Sequence, residues 1–433
     1  MISSAIKFLN RKSIKSVGIY TLAGFWNKAI SFIALLFFIN ILSEGDMGIL
    51  NIFSTSIAFL TPVISMGSFY TITVDYFKMP KKEYSTLFTS SLIIPGILVL
   101  VLPIPLYIFS GPLSRTFEYQ KEFFWLIPTC LLLNYCFEIF QRLLIIEKKI
   151  RKVAQITIIR TFSEVLFSLL FIYLIYTTWY GRAIGYALSL LIMGLIFFHY
   201  VIKNKFLVRQ FSLLHIKKEL LFGIAGLTLQ MGIFFLTSSD KFFIMANYGK
   251  TNAGFYSVAS TFATIQIIVS IALLGYLQPI LYQSFTEGKN WHHMKSTFLK
   301  YISVMIIFLV ALYIGTTIVY SYFLKESYRS YVHIFYLLAL STFIWSMSNI
   351  FLQIIIFKKN KKLIGLLSFI IIVIAFNINF FTSKYLGISW VCYGQILINL
   401  IVFLTILLFS RKLGFFQWKQ PPLPVTAEIS SLK

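Results

Sequence analysis

Apolar stretches of about 20 residues recur from one end of the chain to the other, with short polar segments between them. An α-helix needs about 20 apolar residues to cross the hydrocarbon core of a bilayer, so each stretch predicts one membrane-spanning helix. The pattern therefore predicts an all-α, polytopic membrane protein with about twelve spans. They lie near residues 17–41, 48–72, 86–110, 122–142, 153–176, 180–202, 219–247, 253–283, 298–323, 332–357, 362–382 and 387–410.

Two polar segments half a chain apart predict an internal repeat. LSEGDMGILNIFSTS and NYGKTNAGFYSVASTF align at a shift of 206 residues, which matches Gly48 with Gly254 and Ser54 with Ser260. Six predicted spans separate the two segments, as duplication of a six-helix unit would produce. Since six is an even number, both halves run in the same direction, and the expected fold is two six-helix bundles around a central cavity.

The repeat and the loops divide the chain into five predicted segments. They are an amphipathic N-terminus (1–16), an N-terminal bundle (17–202), a linker (203–218), a C-terminal bundle (219–410) and a tail (411–433). Lysine and arginine number 28 in the two termini and in or within three residues of the loops on their side, but 7 in or within three residues of the opposite loops. Under the positive-inside rule, both termini and the linker are expected to be cytoplasmic.

Composition excludes several classes of protein. Hydrophobic residues make up 58% of the 433 residues and charged residues 12%, which rules out a soluble fold and leaves no length for a soluble catalytic domain. The net charge of +24 would suggest nucleic acid binding in a soluble protein. Here the basic residues lie in alternate loops, where they meet anionic lipid headgroups, so membrane lipids are expected partners and nucleic acid is not.

The sequence gives no sign of a metal or cofactor site. Cys130, Cys136 and Cys392 lie in apolar segments without metal-ligand spacing. No Walker loop, HExxH or GxSxG motif occurs. We therefore expect neither a metal nor a cofactor, and no enzymatic activity.

The first predicted span carries a lysine near its middle. A lysine that faces lipid at this depth costs about 2.5 to 3.5 kcal/mol on insertion scales, so Lys28 is expected to face a wet interior together with Asn27. A structural pairing of Lys28 with a neighbouring helix is the alternative.

A polar stripe runs along the fifth predicted span. Thr157, Arg160, Glu164 and Ser168 recur at three- and four-residue spacing on an otherwise apolar helix, so they share one face. Arg160 and Glu164 are candidates for ligand binding and ion coupling, respectively, although a purely structural pair of the two remains open.

Two further spans contain charged residues of both signs. Glu138 and Arg142 share a face of the fourth span, and Asp240 precedes Lys241 near the outer end of the seventh. Arginine and lysine form charge-assisted hydrogen bonds with phosphate, so Arg142 and Lys241 are candidate ligand-binding residues with Lys28, Asn27 and Arg160. Asp240, Glu164 and Glu138 could instead take up H⁺ or Na⁺ and couple its gradient to transport.

Three segments resemble the polysaccharide repeat-unit flippase family, which includes the O-antigen flippases, within the multidrug/oligosaccharidyl-lipid/polysaccharide exporter superfamily. They are LSEGDMGILNIFSTS, YGRAIGYALS and SDKFFIMANYGKTNAGFYSVA. The resemblance implies alternating access that moves an undecaprenyl-diphosphate-linked oligosaccharide from the cytoplasmic to the outer leaflet. The family often has arginine where this sequence has Lys241, which keeps the charge but not the bidentate geometry.

Other functions fit the same hydropathy. A drug or cation antiporter of the same superfamily is one alternative, and a membrane-embedded polysaccharide polymerase or glycosyltransferase is another. The antiporter should favour acids over bases in its interior, and the enzymes usually carry a long external loop. Other membrane proteins of polysaccharide assembly are candidate partners for a flippase.

Overall fold

The computed structural model describes residues 30–66, 68–76, 79–175, 177–287, 291–358, 361–413 and 415. These residues form helices and contain no β-strand. The helices are α1 (Ile30–Ile41), α2 (Glu44–Ser65), α3 (Ser68–Asp75), α4 (Lys81–Val101), α5 (Pro103–Ile108), α6 (Ser110–Phe117), α7 (Phe123–Ile146), α8 (Ile150–Leu174), α9 (Trp179–Lys203), α10 (Leu213–Thr237), α11 (Asp240–Ala263), α12 (Ile265–Thr286), α13 (Trp291–Tyr322), α14 (Glu326–Arg329), α15 (Val332–Phe357), α16 (Lys361–Tyr385) and α17 (Ile388–Lys412).

Ten helical segments of the described chain are long and apolar enough to cross a membrane, and the shorter apolar helices Ile30–Ile41 and Gly226–Thr237 bring the number to twelve. Large apolar side chains such as Leu100 and Leu174 have most of their surface exposed, as expected where helices face lipid rather than water. The expected all-α, multi-pass fold is confirmed.

The helices pack into two compact units. Unit 1 contains the chain up to Phe234 together with Lys241–Ser257, and unit 2 contains Phe235–Asp240 and the chain from Val258 onward. In unit 1, α7 is the central helix, since 61% of its most apolar 18-residue stretch is buried. In unit 2, the corresponding share is 56% for α15 but 17% for α13, which therefore lies at the periphery.

The SEGD sequence at the start of α2 forms a capping box. The Ser43 hydroxyl accepts a hydrogen bond from the Asp46 backbone N–H at 3.1 Å, and the Asp46 carboxylate accepts one from the Ser43 N–H at 3.3 Å. The other carboxylate oxygen of Asp46 accepts the backbone N–H of Trp179 at 3.0 Å. Asp46 therefore satisfies free N–H groups at the starts of both α2 and α9.

The matching turn of the second repeat receives its acid from elsewhere in unit 1. The chain turns at Gly249, where φ is 72°, and helical geometry resumes at Lys250. Glu118 accepts the backbone N–H of Lys250 at 3.1 Å and lies 3.6 Å from its ammonium group. A carboxylate at this position neutralises the positive end of the helix dipole, as Asp46 does in the first repeat.

The two predicted repeat segments contact each other through their matched glycines. A Cβ atom on Gly48 would lie 1.9 Å from the Lys250 carbonyl oxygen, and one on Gly254 would lie 1.9 Å from the Glu44 carbonyl oxygen. Residues 44 and 250, like residues 48 and 254, are related by the 206-residue shift. The contact is thus reciprocal, as a duplicated unit with local two-fold symmetry requires, and it explains why both positions are glycine.

The seventh predicted span, 219–247, is wrong as a single helix. Its helix ends at Thr237, and α11 begins at Asp240 after a two-residue turn. In this turn the Ser239 hydroxyl donates to the Phe235 carbonyl at 2.6 Å and accepts a hydrogen bond from the Asn379 amide at 3.2 Å. Thr237 and Lys241, which the single predicted span would place on one helix, therefore belong to different helices, and Asp240 starts the second.

The glycine contact makes a stability prediction. Gly48→Ala should lower the free energy of unfolding by about 1–3 kcal/mol, because the new methyl group meets backbone that cannot move alone. Gly96→Ala is the matched control: no atom lies within 4 Å of its added Cβ, so the helix should tolerate it or gain up to about 1 kcal/mol. Thermal unfolding of both purified variants measures the difference, and equal midpoints would contradict the tight contact.

Candidate functional site

Five charged side chains form an alternating series inside unit 1, which we call the charge ladder. In order of depth they are Arg142, Glu138, Arg160, Glu164 and Arg182, on α7, α8 and α9. These three helices share one end, where Lys149 in the α7–α8 turn donates to the Tyr200 hydroxyl near the end of α9 at 2.8 Å. At 1.5 Å per residue, the backbones of the three arginines lie about 6, 15 and 32 Å from this end.

Arg160 is the central rung of the ladder. Its guanidinium lies 3.9 Å from the Glu164 carboxylate, and the two side chains are 22% and 27% exposed. This separation is at the outer limit of an ion pair, and arginine preceding glutamate at i,i+4 is the weaker order. The Nε atom of Arg160 is buried without a hydrogen-bond partner in the described structure. Arg160 therefore retains donor capacity beyond its acid.

Aromatic rings orient the same guanidinium. Its central carbon lies 4.9 Å from the ring centre of Phe137 and 5.5 Å from that of Tyr186. Cation–π contacts of this kind contribute about 2 kcal/mol or more when desolvated, compared with about 0.5–1 kcal/mol at exposed sites. The rings hold the charge in place without using its N–H donors.

The end of the ladder nearest the basic loops contains Glu138 and Arg142. Glu138 accepts a hydrogen bond from the Asn134 amide at 3.2 Å and interacts electrostatically with both Arg142 and Arg160. Arg142 lies over the ring of Phe69 at 4.4 Å. The expected shared face of α7 is therefore observed, and its acid lies between two cations.

Arg182 is the rung at the opposite end. Its guanidinium lies 4.0 Å from the ring centre of Phe38 and interacts electrostatically with Glu164. One terminal nitrogen, Nη1, is buried and has no hydrogen-bond partner among the described residues. Leaving a charged donor unmet in a protein interior costs free energy, so this position is suited to an acceptor that the chain itself does not supply.

The ladder has an excess of positive charge. Three guanidinium groups face two carboxylates, and two of the arginines have an N–H group without an acceptor. Arginine binds phosphate through paired N–H donors, so these rungs match a phosphate-containing ligand in charge and hydrogen bonding. A cationic ligand would meet the same excess as repulsion.

The remaining predicted ligand-binding residues are Asn27, Lys28 and Lys241. Asn27 and Lys28 fall outside the described residues. Lys241 is the second residue of α11 and is half-buried.

A second polar site lies wholly within unit 2, and we call it the Asp240 pocket. It is a cavity of about 40 Å³, and the Asp240 side chain in its wall is 4% exposed. Its polar lining comes from four helical segments: Thr237, Asp240, Ser260, Thr264, Ser341, Thr342, Gln395 and Asn399.

Hydrogen bonds between amide side chains fix one wall of this pocket. Asn399 donates to the Ser341 hydroxyl at 2.8 Å, and Gln395 donates to Asn379 at 2.9 Å. Asn379 in turn donates to Ser239 in the turn before α11, at 3.2 Å. This network connects α15, α17 and α16 to the helix break that carries Asp240.

One oxygen of this wall has no donor. The Oδ1 atom of Asn399 is buried and accepts no hydrogen bond from the described residues. A carboxylate, an amide oxygen and several hydroxyls around a space for one to three waters are the ligands that a hard cation prefers. The Asp240 pocket can therefore accommodate a single small cation, or a proton on the carboxylate.

The part of the sequence that contains most of these features matches the model of one protein family. The model of the family "polysaccharide biosynthesis protein" matches residues 13–285, which include the whole charge ladder and Asp240. The chain belongs to this family. No curated protein matches the sequence significantly.

Solved structures show the same fold at low sequence identity. An inward-facing multidrug resistance MATE family transporter of the MOP superfamily has a TM-score of 0.67 at 15% identity, with 92% of this chain and 94% of that chain covered. The outward-facing form of such a transporter has a TM-score of 0.57 at 14% identity, with 92% and 95% covered. A MOP superfamily transporter from Pyrococcus furiosus, described as having a binding pocket of reverse polarity, has a TM-score of 0.60 at 15% identity, with 93% and 95% covered.

These matches confirm the helical fold expected from the sequence, with its two repeat halves. Sequence reasoning did not identify Arg182 or Asn399. Arg182 lies two residues inside its predicted span and looks like an anchor at the membrane surface. Asn399 is one of several amides on apolar helices, and its unmet oxygen becomes visible once Ser341 and Gln395 are placed beside it.

Proposed function

We propose that the protein is a flippase that moves a lipid-linked oligosaccharide repeat unit, carried on undecaprenyl diphosphate, from the cytoplasmic to the outer leaflet. Membership of the polysaccharide biosynthesis family and the fold of MOP superfamily transporters support a membrane transporter in this pathway class. The observation that carries the choice of substrate is the charge ladder, with three arginines, two acids and two unmet donors.

The ladder gives a physical reason for an anionic headgroup. A diphosphate that leaves the membrane surface loses water from several charged oxygens, and this desolvation would forbid transit unless fixed cations replace the water. Acids between the cations keep the attraction moderate. In the proposed mechanism, alternating access changes the affinity for the headgroup between two states, and the prenyl tail remains in lipid.

The orientation belongs to the same proposal. With 28 basic residues on the side of the termini and 7 opposite, the protein is proposed to sit in the bacterial cell membrane with both termini in the cytoplasm. The Glu147–Lys149 turn and the start of α4 then lie on the cytoplasmic side. No bond-making step is assigned to the chain.

The first prediction from the proposed function concerns Arg160. Arg160→Ala should reduce surface polysaccharide roughly ten- to hundredfold and cause the lipid-linked repeat unit to accumulate on the cytoplasmic leaflet, because one charge-assisted contact is lost. Arg160→Lys should retain part of the activity, since the charge remains. Arg115→Ala, which removes an exposed arginine of α6, is the matched control.

Surface glycan and membrane abundance are measured in the same cells. Wild-type glycan levels in Arg160→Ala at wild-type abundance, and also in Lys28→Ala combined with Arg160→Ala, would contradict the assignment of these cations to the headgroup.

A multidrug or cation antiporter has the same fold and is the competing function. The similarity to multidrug resistance transporters favours it, whereas the positive ladder opposes it. Ethidium efflux separates the two functions. The flippase proposal expects no efflux above that of cells lacking the protein, and ethidium efflux that survives Arg160→Ala would support the antiporter.

Ion coupling is the second part of the proposal, and the Asp240 pocket is its site. We expect Na⁺ or H⁺ to bind the Asp240 carboxylate, because that residue lies at a helix break in a polar pocket where the Asn399 Oδ1 atom accepts no hydrogen bond from the described residues. Glu138 and Glu164 are the other candidate carriers, but each already lies next to an arginine. A cation bound to Glu138 or Glu164 would weaken the attraction of that acid for its neighbouring arginine.

The second prediction tests this pocket directly. Raising Na⁺ in exchange for K⁺ should stabilise the purified protein by up to about 2.7 kcal/mol at a hundredfold excess over the dissociation constant. Asp240→Asn should abolish this shift, and Glu326→Gln, at an exposed acid of unit 2, should leave it unchanged. If the ion is H⁺, the shift follows pH instead. Identical responses of Asp240→Asn and wild type to both Na⁺ and pH would show that coupling does not involve Asp240.

A further inference from the structure

A separate cavity lies at the basic end of unit 1, away from the ladder's central rung. It has a volume of about 270 Å³, and we call it the loop-end cavity. It is lined by the start of α4, the α7–α8 turn and the segment after α9, with Tyr76, Lys81, Tyr84, Glu147, Asn204 and Phe206 among its walls. Since three spans begin or end around it, the cavity lies at the level of the membrane surface.

Aromatic rings form one side of the cavity. Tyr84 contacts Tyr76 edge to face, with ring centres 5.0 Å apart, and Phe206 at 6.1 Å. The Tyr84 hydroxyl donates to the Ile72 carbonyl at 3.0 Å, so its position is fixed. Burial, and then the nearby Glu147 carboxylate, raise the pKa of Tyr76, which remains a neutral phenol. Such a wall suits the apolar face of a ring-shaped ligand.

Polar groups surround the rings. Glu147 accepts the Tyr200 hydroxyl and lies 2.9 Å from the Lys149 ammonium. The hydrogen bonds from Lys149 to Tyr200 and Glu147 raise the pKa of the lysine, so its ammonium group stays charged. Lys81 is exposed at the rim and makes no ion pair with any described residue. The cavity therefore offers one uncommitted cation beside acceptors and donors that are already oriented.

The wall formed by the predicted linker is preorganised. Ser85 on α4 donates to the Lys205 carbonyl at 3.0 Å, and Thr89 accepts the Val208 backbone N–H at 3.0 Å. Ser90 accepts the N–H of Ser212 at 2.9 Å. These three bonds hold the segment that carries Asn204 and Phe206 against α4, so a ligand does not have to order it.

The size and chemistry restrict the ligand. A volume of about 270 Å³ corresponds to roughly nine waters and lies just below the usual range of small-molecule sites, so it fits one sugar ring with its phosphate but not an oligosaccharide. Aromatic faces, an amide and a carboxylate suit a sugar, and Lys81 suits a phosphate.

We propose that the loop-end cavity binds a glycosyl phosphate, namely the sugar and phosphate nearest the lipid of the carrier, before the headgroup reaches the ladder. This inference rests on the proposed function and adds a docking site to it. Its place at the ends of three spans favours a ligand that a prenyl tail holds at the membrane surface over one that arrives from solution.

Protection of a single cysteine tests the proposal. Met79 lines the cavity, and Cys130, Cys136 and Cys392 are buried, so Met79→Cys in the full-length protein gives one accessible thiol. In nanodiscs, undecaprenyl-diphosphate-linked N-acetylglucosamine should slow its reaction with a maleimide. UDP-N-acetylglucosamine carries the same sugar and diphosphate without the lipid and should protect only at much higher concentration.

Substitutions of residues that line the loop-end cavity show where the probe binds. Added to Met79→Cys, Lys81→Ala or Asn204→Leu should raise the half-protecting concentration about tenfold, whereas the neighbouring exposed Lys82→Ala should not. Equal effects of Lys81→Ala and Lys82→Ala would indicate general surface charge and overturn the site. Absence of protection by the lipid-linked probe would also overturn it, and stronger protection by the UDP-linked sugar would assign the cavity to a soluble ligand.

The two proposals can fail separately. Loss of surface glycan in Arg160→Ala without protection of Met79→Cys would leave the flippase proposal standing and remove the docking site. Protection of Met79→Cys with normal glycan in Arg160→Ala would leave the docking site standing and remove the ladder from the path of the headgroup.

Discussion

An ionised side chain at the level of Arg160 cannot face lipid without a large loss of free energy, and the interior of unit 1 is arranged around this constraint. The guanidinium is shielded by Phe137 and Tyr186 and balanced by Glu164 at 3.9 Å. Tight pairing would satisfy the charge more completely. The looser arrangement keeps Arg160 compensated enough to fold and leaves it a donor for a ligand.

The same constraint explains the polar groups in the rest of the described chain. Asp46 and Glu118 accept hydrogen bonds from backbone N–H groups at helix starts, which have no partner within the helix. At the turn before Asp240, a network of amides through Asn379 supports the interrupted helix. Irregular backbone at membrane depth occurs where polar side chains surround it, and in transporters such breaks coincide with ion or substrate sites.

Much of the fold follows from the sequence, because span length and hydropathy are fixed by the thickness of the bilayer. The polar stripe through Arg160 could also be predicted from the sequence, because the spacing of residues along one helix determines which side chains share a face. The surroundings of the break before Asp240 were not readable, because Ser239 is contacted there by Asn379 from another helix. The role of Arg182 depends likewise on contacts with Phe38. Hydropathy contains no information about such contacts between helices.

Passage of a lipid-linked diphosphate across a bilayer through the ladder is the central claim, and reconstitution measures it most directly. Purified protein is placed in liposomes with a labelled undecaprenyl-diphosphate oligosaccharide in both leaflets, and an impermeant glycosidase is added outside. Wild-type protein should expose the inner-leaflet label to the enzyme, whereas Arg160→Ala liposomes should lose only the outer-leaflet label, as empty liposomes do. Equal exposure by wild type and Arg160→Ala, or none by wild type, would contradict the account.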